Sequence, residues 1–154
     1  MKILHFGFHT TASSEVLEKL ATYKHYLSIC NSAPSEILAL IALRAAPRIL
    51  DKIGNICDSN LKEIESFLSR FSQVFDWIRP RGGTIGFMRI KFDGHDSISL
   101  AEKLVTQKSV LILPGSFFPG KTIDTSNHFR IGFGKKDFSV ALNALADAME
   151  ELFP

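Results

Sequence analysis

Apolar residues recur at intervals of three and four through much of the chain, and at every second position in a few short runs. The first spacing lines one face of a helix; the second lines one face of a strand. In "SSEVLEKLATYKHYL", Val16, Leu17, Leu20, Tyr23 and Leu27 keep the helical spacing. From Ala33 the helical pattern runs for about 40 residues, to roughly Ser72, which is about 60 Å of helix. Asn31 or Ser32 can cap its start, and Pro34 suits a first turn, where its missing N–H has no partner to lose. Pro47 removes a backbone hydrogen bond and clashes with the preceding turn, so a kink or break is expected there, and Gly54 loosens the run further. A helix this long does not fit inside one small domain. It predicts a spine joining two lobes.

The remaining pattern is mixed. "KILHFGFHT", "VFDWI", "TIGFMRIKF", "VLIL" and "HFRIGF" read as strands. "DSISLAEKLVTQK" reads as a helix capped by Asp96 or Ser97. "KDFSVALNALADAMEELF" reads as a closing helix capped by Asp137, with Phe138, Ala141, Leu142, Leu145, Ala148, Met149 and Leu152 on its apolar side. The expected fold class is α/β, with an α+β small domain: a long helix followed by a small sheet covered by helices. The expected segments are 1–32, a remnant of another domain; 33–73, the long helix, kinked near Pro47; and 74–154, the small domain.

Composition narrows the function classes. The chain has 154 residues, 45% of them hydrophobic, enough for a real core. Thirteen phenylalanines against one tryptophan and two tyrosines point to apolar packing rather than a wet binding surface. A net charge of +2 with dispersed basic residues gives no argument for nucleic acid or an anionic membrane. Cys30 and Cys57 lack C-x-x-C spacing and are expected to be reduced, buried thiols of a cytoplasmic protein. No apolar run reaches the length of a membrane span, and the N-terminus lacks the apolar core and cleavage site of a signal peptide. His5 and His9, four apart on a strand without further ligands, do not make a metal site.

Two motifs carry candidate chemistry. "GSFFPGKT", residues 115 to 122, fits G-x-x-x-x-G-K-[ST], the phosphate-cradling P-loop. That cradle depends on a following helix, whose N–H groups and dipole face the phosphates. Here Thr122 leads through "IDTSN" into a strand, and Pro119 has no N–H to donate. The expectation is a surface loop, with Lys121 in solvent. The second motif is "HFRIGFG". Alternation puts Phe129, Ile131 and Phe133 on one face and His128, Arg130 and Gly132 on the other. Arg130, beside a missing side chain, has room for a small molecule, and its planar fork matches a carboxylate bidentately. Alternation alone allows equally a structural arginine paired to an acid or extended to solvent.

Four blocks, "YKHYLSICNSAPSEILALIALR", "WIRPRGGTIGF", "VLILPGSFF" and "HFRIGFG" with its closing helix, resemble in order and spacing the C-terminal half of class I/II aminotransferases. These are fold-type I enzymes that use pyridoxal 5'-phosphate (PLP). The resemblance implies that Arg130 grips the α-carboxylate of an amino acid or 2-oxo acid substrate. It implies that Gly82 and Gly83 border the substrate, although a hairpin turn also accounts for the pair. "LPGSFF" would border the pocket mouth. "CNSAPSE" would enter the interdomain helix near a dimer interface, with Asn31 and Ser32 as contacts or caps. The family's Schiff-base lysine, ring-stacking aromatic and most phosphate ligands have no counterpart here; the lysine would fall before Met1. His5 would hold the place of a phosphate-binding arginine. The resemblance therefore implies a chain inactive alone, not binding PLP by itself, and acting as a homodimer or with a missing N-terminal half. The alternative is a non-catalytic dimerisation or binding module.

Overall fold

The computed structural model describes residues 13–91, 96–118, 120 and 124–152. The initial strand expected at "KILHFGFHT" lies outside them. The chain forms two compact units, Met1–Asp51 and Lys52–Pro154.

The first unit contains α1, Ser14–Leu27, and α2, Ala33–Arg44. The Ser13 hydroxyl accepts from the Val16 N–H at the start of α1, satisfying one orphan donor of the first turn. Ser32 is the N-cap of α2 without a side-chain cap bond, and Asn31 donates instead to Glu36 at 2.9 Å. The expected break near Pro47 falls at Ala45, after which α3 runs from Ala46 to Arg70. Pro47 thus sits in the first turn of α3, where an absent N–H is tolerated. Gly54 does not interrupt α3, and open space surrounds its Cα.

The second unit is built on a four-stranded sheet of β1 (Phe75–Trp77), β2 (Ile85–Ile90), β3 (Leu113–Pro114) and β4 (His128–Gly132). Their order is β1-β2-β4-β3, and every neighbouring pair is antiparallel. The fold class is α+β, as the sequence pattern indicates. Only the last part of "VLIL" is strand. The Val110 N–H still bonds the Leu104 carbonyl of α4 (Ser97–Lys108), so the stretch begins as a helix end, and Pro114 has no N–H with which to extend the ladder.

Alternation divides the sheet. Phe75, Met88, Ile90, Phe129 and Ile131 are buried on the inner face. They pack with Leu61, Ile64 and Phe67 of α3, Leu100 and Leu104 of α4, and Leu142, Leu145 and Met149 of α5 (Phe138–Leu152). The phenylalanines are contiguous: ring centroids lie 4.7 Å apart for Phe67–Phe71, 5.7 Å for Phe67–Phe75 and 5.5 Å for Phe75–Phe129. Each such ring, removed from water, contributes about 1.5–3 kcal/mol. Two expected core positions differ. Ala141 is exposed while Ala146 is buried, a one-residue rotation of the apolar stripe of α5. Cys57 is buried but Cys30 is exposed, because it follows the end of α1 and packs into no core.

Two polar devices fix the sheet's surroundings. Asp96 caps α4, its carboxylate accepting from the Ser99 N–H at 2.7 Å, and this bond holds its pKa below the ordinary value. Asn60, buried on the apolar stripe of α3, donates to the carbonyls of Phe133 at 2.8 Å and Lys135 at 2.7 Å. It thereby ties α3 to the chain leaving β4.

Candidate functional site

The outer face of the sheet carries the candidate site. Arg130 lies in the interior strand β4, opposite Phe87 of β2 on one side and Leu113 of β3 on the other. Its backbone is thus fixed in two ladders, while its half-buried side chain leaves the core face. The guanidinium carbon stands 5.2 Å from the centroid of the Phe118 ring, within cation–π range. Phe118 in turn meets Phe87 edge-on at 5.7 Å.

Three other arginines of this unit carry carboxylate partners; the exposed Arg81 of the β1–β2 loop, like Arg130, has none among the described residues. Arg70 pairs with Glu150, Arg79 with Glu65, and Arg89 with Asp76. Among the described residues no carboxylate pairs with Arg130. Space beside it is open at Gly132, where an added Cβ would meet only the Thr84 carbonyl, at 4.0 Å. A cation held in two ladders, lying on an aromatic ring and paired with no acid among the described residues can accept an external carboxylate.

His128 lies two residues before Arg130 and opposite Arg89. Its pKa is lowered, first by burial and then by the Arg89 charge, with Asp124 opposing. Nδ1 of His128 is buried with no partner among the described residues, a state that a neutral ring tolerates better than a charged one.

The loop carrying Phe118 is locked by Gly115. A Cβ there would lie 2.3 Å from the Thr125 carbonyl oxygen and 2.6 Å from that of His128. Gly115–Phe117 forms a single 3-10 turn, and the described residues after the loop lead through a turn into β4. Among the described residues no helix follows the P-loop pattern before β4. Lys121 and Thr122 lie outside the described residues.

The other sequence candidates fall elsewhere. Gly82 and Gly83 lie in the loop between β1 and β2 with open space around both. Gly83 has φ +81°, so the backbone turn itself demands glycine there. His5 lies outside the described residues. Sequence reasoning put Phe118 in the "LPGSFF" segment at the pocket mouth but missed Phe87, whose juxtaposition with Arg130 depends on strand register. It also missed Asn60, though a polar residue on the apolar stripe Cys57, Leu61, Ile64, Phe67 was a readable signal.

The described residues around Arg130 do not fit PLP. Among the described residues no lysine lines the groove along Phe87 and Phe118; Lys91 donates to the Ser72 carbonyl, and Lys108 pairs with Glu151. Among the described residues, no cluster of ligands could hold a metal ion, and no helix is long and apolar enough to cross a membrane.

No family model matches the chain, and no curated relative does. Solved structures do. A PLP-dependent aminotransferase from Streptococcus suis superposes with a TM-score of 0.77 at 22% identity, over 93% of this chain and 37% of that one. Aromatic aminotransferase from Pyrococcus horikoshii gives 0.76 at 19% identity, over 92% and 38%. N-succinyldiaminopimelate aminotransferase from Mycobacterium tuberculosis gives 0.72 at 19%, over 88% and 36%. The chain thus spans little more than a third of the length of these proteins while nearly all of it takes part in the match. It has the fold of one portion of the PLP-dependent aminotransferases, with the coverage expected of a C-terminal portion.

Proposed function

We propose that this chain supplies the substrate-carboxylate grip of an amino-group-transferring enzyme and does not transaminate alone. The observation that carries the reading is Arg130: fixed in two ladders, set over Phe118 and without a carboxylate partner among the described residues. In this reading residues 1–32 belong to a larger cofactor-binding domain, 33–73 to the interdomain helical segment and 74–154 to the small domain. Arg130 orients a 2-amino or 2-oxo acid through two parallel hydrogen bonds, which lysine at the same place cannot make. PLP, bound by the larger domain in the complete enzyme, supplies the electron sink for chemistry at the substrate α-carbon. The working protein is cytoplasmic and takes no nucleic acid. Incubation of the chain with PLP, an amino acid and a 2-oxo acid yields no amino-group transfer; transfer at a rate above free PLP overturns the reading.

A second reading, a dimerisation or binding module, rests on the first unit. In α2, Ile37 is 60% exposed, Ile41 57% and Leu43 58%. Such a run of apolar residues marks an association surface, for a second copy or for a separately encoded N-terminal half. Sedimentation decides it: a monomer at all concentrations removes self-association, leaving only the second partner.

A further inference from the structure

The groove beside Arg130 has a volume of about 790 Å³. Its walls include Trp77, Pro80, Phe87 and Phe118, and its polar margin includes Arg89 and His128. Arg130 does not itself line it; Phe87, its register partner, and Phe118, whose ring centroid lies 5.2 Å from its guanidinium carbon, do.

The charge state of this groove is unusual for a sheet face bearing three basic residues. Arg89 is neutralised by Asp76 at 2.9 Å. His128 is held toward its neutral form by burial and by Arg89. Among the described residues that line the groove, the one permanent cation, Arg89, is already paired with Asp76, so a second carboxylate competes with that pair. A flat apolar side chain finds two phenylalanine rings, an indole and a proline.

Resting on the reading of Arg130 as the carboxylate anchor, we infer that the acid bound there carries an uncharged, flat apolar side chain, which lies over Phe118 and Phe87. The site is selective for aromatic 2-oxo or 2-amino acids against dicarboxylic ones. Phe118 serves twice: it fixes the guanidinium and forms the first wall of the side-chain groove.

The test is nuclear magnetic resonance titration of the full chain, labelled with 15N, with phenylpyruvate, pyruvate and 2-oxoglutarate. The expected signature is saturable shifts at Phe87, Phe118 and the Arg130 Nε–H. Phenylpyruvate binds about tenfold or more tighter than 2-oxoglutarate, the scale set by burying a phenyl ring. Phe87→Ala removes most of that preference while pyruvate affinity stays within about twofold. Phe118→Leu also removes the ring-current displacement of the Arg130 Nε–H signal, and Phe118→Tyr restores it. Equal affinities for phenylpyruvate and 2-oxoglutarate, or no saturable shift with phenylpyruvate, overturn the inference. The two layers separate in Arg130→Gln. Phenylpyruvate binding that survives this change keeps the groove and removes the anchor; loss of all three ligands supports the anchor whatever the selectivity.

Discussion

The two units put their apolar sequence to opposite ends. In the second, the apolar positions of α3, α4, α5 and the sheet converge, and Ile64, Met88, Leu100 and Leu104 are fully buried. In the first, α1 buries no residue and α2 buries only Ser35, although "ILALIAL" is the most apolar run of the chain. Hydrophobicity therefore does not locate a core; convergence of faces does. A helix that is apolar on all sides has no preferred inner face within its own unit, whereas the single stripe of α3 has one.

This contrast can be broken or sharpened by substitution. The largest effect is expected from Phe129→Ala, which empties the junction of inner sheet face and phenylalanine cluster: a loss of about 3–5 kcal/mol by urea denaturation. A loss under about 1 kcal/mol would mean that the second unit is not the tightly packed one. Next comes Asn60→Leu, which leaves the Phe133 and Lys135 carbonyls without their donor and costs about 2 kcal/mol in the same measurement. Substitution in the first unit should be far milder. Ile41→Ser is expected to change unfolding of the monomer by less than about 0.5 kcal/mol while reducing any association seen in sedimentation. A cost as large as that of Phe129→Ala would show that α2 is packed in solution, and the contrast would fall.

The smallest effect is a pH slope. The folded pKa of His128 lies below its ordinary value of 6.5, so the unfolded chain takes up the proton first as pH falls. This contribution to stability is complete above about pH 7 and declines as pH drops through about 6.5 toward the lower folded value. In His128→Gln the slope between pH 7 and 5 should flatten (about these limits); an unchanged slope assigns it to other groups.

Much of the second unit was legible in the sequence because its signals are local. Strand alternation put Phe129, Ile131 and Phe133 inside and Arg130 outside, and all three apolar residues are buried. Asp96 announced a helix start. The 3.6-residue stripe of α5 was readable to within one alanine. What could not be read depends on distant partners. The extent of β3 is set by the C-terminal winding of α4, and the ring beneath Arg130 is brought there by a loop held against the start of β4. The resemblance singled out Arg130 and the segment holding Phe118; only the three-dimensional register set Phe87 and Phe118 beside the arginine.

Gly115 has a consequence for how variation in this chain should be read. In a saturation library scored for folded protein, Gly54 and Gly82, which face open space, should accept many replacements. Position 115 should accept none, since even a methyl group meets two backbone oxygens that have nowhere to go. A motif search weighs these glycines alike. A library would rank them by the room around each, and would mark the loop under Arg130 as a place where inheritance has no latitude.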